Sequence, residues 1–236
     1  VSARRQNRFV RVLAVVLGAL VLAVVLVQAW FFAHVLWWDR YNPAVTSVMA
    51  ARLDGLQAKN PKAELKHRWV DYDRISVHLK RAVISAEDAK FIDHEGFDWE
   101  GIQRALEKNQ RRGKVVSGGS TISQQLAKNL LLSGERSYLR KGQEAVVTVM
   151  IEAVMSKRRI LELYLNVAEW GEGVFGAEAA ARHYFGVSAA NLSPEQAARL
   201  AAMLPRPRFY DRNRGSRYLA TYTERILARM PSAQVP

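Results

Sequence analysis

The chain has 236 residues, 49% apolar and 24% charged, which is enough to bury a sizeable core and too mixed for a disordered or polytopic membrane protein. It has no cysteine, which excludes a disulfide framework, a thiolate nucleophile and thiolate metal sites. Thirty-five Lys and Arg against 22 Asp and Glu leave a net charge of +13, a balance that suits an anionic partner: nucleic acid, anionic lipid or a phosphorylated substrate.

Val12 to Trp38 is a run of 27 residues without Asp, Glu, Lys or Arg, long enough to cross a bilayer with some tilt. Arg4, Arg5, Arg8 and Arg11 precede it, and the first acid is Asp39. The positive-inside rule therefore predicts a cytoplasmic basic tail over 1–11, a single-pass anchor over 12–38 and an outer portion beyond it. Trp30, Phe31, Phe32, Trp37 and Trp38 crowd the outer end as an interfacial belt would. A cleaved signal peptide is the alternative, but its apolar region spans about 7–15 residues and ends at small residues. Setting the four arginines apart, the outer portion keeps an excess of +9. Nucleic acid is not the usual cargo outside a membrane, so the expectation is lipid-linked phosphate and no nucleic acid.

Residues 39–70, broken by Pro43 and Pro61, read as a membrane-proximal segment. From Ile75 the spacing of Leu79, Ala82, Val83 and Ala86 predicts an amphipathic helix, and 98–109 a second. A Gly- and Ser-rich loop follows, then helical spacing at Ile122, Leu126 and Leu130. Ala145–Met155 is almost wholly apolar and predicts a helix buried on most sides, with helix continuing over Ile160–Leu165. Ser193-Pro194-Glu195-Gln196 is a helix start with Ser as N-cap, Pro in the first turn and Gln closing a capping box, and Met203-Leu204-Pro205 ends that helix. No alternating strand pattern, hairpin signal or internal repeat stands out. The outer portion should be mainly α.

Glu87 follows Val83 by four residues and precedes Phe91 by four, which predicts one shared helix face. A carboxylate on an apolar stripe is partly desolvated and suited to acid or base work; the plain alternative is a helix-end Glu paired to a nearby cation. The loop from Gly113 to Thr121 is similar to a phosphate loop but has Gly119 where a nucleotide-binding loop needs Lys, so it reads as an anion-holding loop or a linker. Lys128, Arg136, Arg140 and Lys141, with Glu144 close behind, form a basic cluster interleaved with Leu130, Leu131, Leu132, Tyr138 and Leu139, a pattern that suits an anionic lipid headgroup. His94 and His183 have no zinc spacing, and no S-x-x-K, S-D-N or K-T-G occurs, so neither a zinc hydrolase nor a penicillin-reactive serine site is expected.

Four segments together resemble a known family. Glu87 to Gly96 matches E-D-x-x-F-x-x-H-x-G; Gly118 to Asn129 matches G-G-S-T-[IL]-[ST]-Q-Q-x-x-K-N; Arg140 to Glu144 matches R-K-x-x-E; Lys157 to Asn166 matches K-x-x-I-L-E-x-Y-L-N. In this order and spacing they resemble the peptidoglycan glycosyltransferases, over roughly residues 70–210. With the chain stopping at Pro236 and the serine motifs absent, the monofunctional form is expected. The last motif, R-x-x-x-[VI]-L, departs: Ile226 and Leu227 fit, but Tyr222 stands at the Arg position.

The resemblance implies a lysozyme-like helical domain over 71–236 with a small membrane-associated lobe including 130–139. It implies polymerisation of lipid II into β-1,4-linked glycan strands by inverting transfer, with release of undecaprenyl diphosphate. Glu87 and Glu144 would be the catalytic carboxylates, Glu87 as general base and Glu144 orienting its surroundings or a diphosphate-bound ion. Arg104, Ser120, Thr121, Gln124, Gln125, Lys128, Asn129, Arg136, Arg140 and Lys141 would bind substrate. No protein-held metal and no organic cofactor are expected; a divalent ion, Mg or Mn, would come with the diphosphate. Partners would be lipid II, the growing strand, membrane lipid and wall-synthesis or division proteins, at the bacterial inner membrane. A lytic or lysozyme-like enzyme and a non-catalytic membrane scaffold are the rival readings.

Overall fold

The computed structural model describes residues 2–114, 118–132 and 137–236. The chain divides into two compact units, 1–41 and 42–236. The first is one helix, α1 (Ser2–Arg40), whose segment Val10–Arg40 is long and apolar enough to cross a membrane by length and composition.

The second unit is helical: α2 (Ser47–Gln57), α3 (Val77–Glu87), α4 (Trp99–Arg112), α5 (Ile122–Leu131), α6 (Tyr138–Val154), α7 (Lys157–Val167), α8 (Ala177–Phe185), α9 (Pro194–Met203), α10 (Pro207–Arg212) and α11 (Arg217–Arg229). Helix α3 packs on α9, α9 on α11, and α5 lies among α2, α6 and α7. Trp170, Tyr164, Phe91 and Phe175 are the largest wholly buried side chains at the centre. The helix starts are written locally. Ser193 accepts from Gln196 N while Gln196 reaches back to Ser193 N, with Pro194 in the first turn, as the sequence pattern predicts. Ser156 caps α7, so Ile160–Leu165 belongs to a new helix rather than continuing the preceding one.

A small sheet, order β1-β3-β2, joins β1 (Lys66–His67), β2 (Glu169–Gly171) and β3 (Val174–Phe175), with β1 parallel and β2 antiparallel to β3. Strands of two or three residues are too short to show alternation, which is why no strand pattern stands out in the sequence. The 39–70 segment supplies α2 and β1. Arg52 of α2 grips Glu169 with two hydrogen bonds at 2.7 and 2.9 Å, and Val70 N donates to the Asn166 side chain at 2.9 Å.

Two expectations fail. Helix α3 stops at Glu87, and Phe91 lies in the turn beyond it, wholly buried, so Phe91 shares no helix face with Glu87. Helix α6 buries only the stripe Glu144, Val147, Thr148 and Ile151; Val146 and Val149 face outward. Apolar composition all round does not force burial all round when only one face meets other helices.

Gly176, at φ +84°, turns the chain from β3 into α8, and a Cβ there would sit 2.7 Å from the Asn166 carbonyl oxygen. Gly176→Ala is expected to cost about 3 kcal/mol through backbone strain and overpacking, read as a lowered unfolding midpoint.

Candidate active site

A cleft of about 710 Å³ opens between the end of α3, one face of α4, the loop 118–121 and one face of α11. Glu87, the last residue of α3, lies on its floor. Arg104 and Lys108 line it from α4, Ser120 and Thr121 from the loop, and Tyr222, Arg225 and Arg229 from α11. The cationic side chains on both walls meet the charge requirement of an anionic substrate.

The Glu87 carboxylate is held on one side. Gln125 Nε2 donates to Glu87 Oε2 at 2.7 Å, and Tyr164 Oη donates to Gln125 Oε1 at 3.0 Å. Burial pushes the Glu87 carboxyl above its ordinary range; the Gln125 bond and the Lys128 charge pull it back, and Asp88 pushes it up again. Burial and the neighbouring carboxylates hold the Tyr164 hydroxyl well above its ordinary value, so it stays a donor. Gln125 and Lys128 stand three apart on α5 and so present to the same side of the helix.

Asp88 anchors this floor. It is buried and accepts from His94 Nε2 at 2.9 and 3.1 Å and from Ile122 N, at the start of α5, at 3.0 Å. His94 Nδ1 accepts from Gly96 N at 3.1 Å, which leaves the ring proton on Nε2, facing Asp88. His94 is thus structural. Behind α5, Ser123 donates to Glu152, Lys157 pairs with Glu152 at 2.8 Å, and Lys157 Nζ donates to the His94 carbonyl at 2.5 Å.

A second cluster forms at the start of α6. Buried Glu144 is bonded by Lys141 and lies 3.5 Å from Arg140, and Lys141 Nζ reaches Ser120 Oγ at 3.4 Å. Lys141 thus touches the cleft-lining Ser120, while Arg140, Lys141 and Glu144 do not themselves line the cleft. Thr121, which lines the cleft, and Gln124, which does not, form the capping box of α5, and the Thr121 hydroxyl donates to Gly96 O at 2.7 Å. Their polar groups hold the loop in place. Asn129 is buried in the last turn of α5 and does not line the cleft. Arg136 and residues 115–117 of the loop lie outside the described residues.

Lys108, Arg225 and Arg229 went unread in the sequence, although Arg104–Lys108 at i, i+4 and Tyr222–Arg225–Arg229 at i, i+3, i+7 mark one face of each helix. Among the described residues no three His, Asp or Glu side chains converge on one point.

Residues 54–231 match the family model described as Transglycosylase. The chain is 66% identical over 221 residues to the biosynthetic peptidoglycan transglycosylase of Aromatoleum aromaticum, covering 94% of this chain and 96% of that protein. It is 66% identical over 209 residues to the protein of the same name from an Azoarcus species, covering 89% and 90%. For the one from a Janthinobacterium species the figures are 62% over 216 residues, 92% and 94%.

Proposed function

The chain belongs to the transglycosylase family, as an enzyme that polymerises the glycan strands of peptidoglycan, and on that premise we propose that its donor and acceptor are both carried on lipid diphosphate. The observation that carries this reading is the buried Glu87 carboxylate on the floor of a cleft whose walls carry Arg104, Lys108, Arg225 and Arg229.

Glu87 takes the proton from the 4-hydroxyl of the acceptor lipid II sugar. That oxygen attacks the anomeric carbon of the growing strand, the bond to the diphosphate breaks, and undecaprenyl diphosphate leaves with the bonding electrons. A single displacement turns an α-linked donor into a β-1,4 link and needs one base and no covalent intermediate. Charge develops on the leaving diphosphate, where cations stabilise it. Lys128, Arg140, Lys141 and Arg104 are the groups proposed for that work, with Ser120 and Gln125 shaping the cleft and Glu144 holding Lys141 in place. Magnesium or manganese enters only as a counter-ion carried by the diphosphate, and no step runs through it. A hydrolase of neutral glycosidic links would have no use for this cationic set.

The proposed setting is the bacterial inner membrane, crossed once by α1, with the basic tail in the cytoplasm and the cleft on the outer side. Trp99 and Leu106 of α4 and Tyr138, Leu139, Val146 and Val149 of α6 expose apolar surface suited to lipid. Wall-synthesis or division proteins are the proposed macromolecular partners.

Purified protein in detergent, given labelled lipid II, should yield a ladder of long glycan on a gel. Shortening of preformed strands instead would support a lytic enzyme. Lys128→Ala is expected to lower the rate at least ~10-fold by removing a charge that steadies the diphosphate. It should also move the acid limb of the pH–rate profile upward, because Lys128 favours the ionised form of Glu87. Rates measured against lipid II concentration at several pH values check both effects.

A further inference from the structure

Helix α11 turns Leu219 and Ile226 into the core, and Tyr222, three residues after the first and four before the second, lies on that same inward stripe. Its hydroxyl donates to the Ala86 carbonyl at 3.2 Å. Ala86 is the residue before Glu87, in the last turn of α3, where carbonyls have no partner within the helix. Tyr222 therefore caps the helix whose final side chain is the carboxylate on the cleft floor. The family pattern has Arg at this place. An Arg there would also satisfy a terminal carbonyl, but it would bring a full positive charge beside the carboxylate.

We propose that Tyr222 is a positioning residue for Glu87: its hydroxyl fixes the end of α3 through the Ala86 carbonyl, and its uncharged ring stands where a cation would otherwise favour the ionised base. The inference rests on Glu87 being the base. Around that carboxylate stand Gln125 and Lys128 from α5, Asp88 just beyond α3, and Tyr164 from α7. Arg225 and Arg229 from α11 and Arg104 and Lys108 from α4 line the same cleft. Tyr222 itself faces Glu87, Arg229, Tyr218 and Tyr210, and burial together with Glu87 raises its hydroxyl above the ordinary range, so it stays a proton donor. Of the groups nearest Glu87, Lys128 is the cation that favours ionisation, and an added charge at 222 would act in the same direction.

Two variants separate the two roles. Tyr222→Phe keeps the ring and its packing and loses only the cap. It should lower kcat about 5-fold, the scale of one hydrogen bond, with KM within about twofold. Tyr222→Arg restores a cap and adds the charge. It should keep kcat near that of the wild type and move the acid limb of the pH–rate profile down by about one unit. Initial rates of glycan formation from labelled lipid II, taken across substrate concentration and pH, read both. Wild-type kcat in Tyr222→Phe would overturn the positioning role, and an unmoved acid limb in a folded Tyr222→Arg would overturn the charge role. Should Tyr222→Arg fail to fold, Tyr222→Phe decides the positioning role alone, and Tyr222→Lys replaces Arg for the charge role. Absence of polymer from the wild type under the same conditions would overturn the polymerase reading itself, and this inference with it.

Discussion

Glu87→Gln is expected to remove polymerisation, by at least ~100-fold, while leaving lipid II binding and the fold intact. The change is close to isosteric, and the new side-chain carbonyl can still accept from Gln125 Nε2, so the local hydrogen bonding survives. What disappears is the lone pair that accepts the acceptor's proton. The thermodynamic sign is opposite to the kinetic one. Burial raises the carboxyl in the folded protein, so between the ordinary Glu value and the raised one the native state binds more protons than the unfolded chain. Stability is therefore lost as pH rises through that window, and above it the ionised Glu87 works against folding. The Gln variant escapes this loss. At neutral pH it should melt at or above the temperature of the wild type. A gel of labelled glycan beside a thermal melt tests both halves; a variant with near-normal activity, or one that melts well below the wild type, contradicts the assignment.

Asp88→Ala should do the reverse, damaging the fold first. Asp88 is one residue from the proposed base, yet its oxygens point away to His94 Nε2 and to the first backbone N–H of α5. A carboxylate at a helix start is also favoured by the helix dipole. Truncation strands both donors in a buried place, at a cost of about 3 kcal/mol. For a domain of this size that is a fall in Tm of roughly 6–12 °C. Asp88→Asn keeps one acceptor oxygen for the two donors and should recover part of the loss. Equal melting of Asp88→Ala and the wild type would show that this junction does not hold the floor together.

The parts of the molecule that local chemistry decides were readable from the chain. The α9 start follows from Ser193, Pro194 and Gln196, and the inward stripe of α3 from Leu79, Ala82 and Val83. The motif segments lie in contact, Glu87 with Gln125, Gln125 with Tyr164, and Lys141 with Ser120. What escaped depends on partners distant in sequence. The outward face of α6 is apolar, and composition carries no record of which face meets protein. The capping box that Thr121-x-x-Gln124 forms at the start of α5 was also there to be read in the sequence, and the expectation of substrate binding passed over it. The role of α11 hinged on Tyr222, and its contact with Ala86, 136 positions away, and its place with Arg225 and Arg229 on the cleft wall are long-range relations that local spacing does not carry.

Tyr164 and Gln125 have one more effect. A carboxylate has two equivalent oxygens, and rotation about its last bond would let either of them react. Tyr164 fixes which way the Gln125 amide points, and the amide in turn claims Oε2. The symmetry of the group is thereby broken before any substrate arrives: Oε2 is a tether, and Oε1 is the oxygen that the Gln125 amide does not hold. Two neutral side chains thus make the two oxygens of a chemically symmetric carboxylate inequivalent, and the proposed base would take its proton on one defined atom.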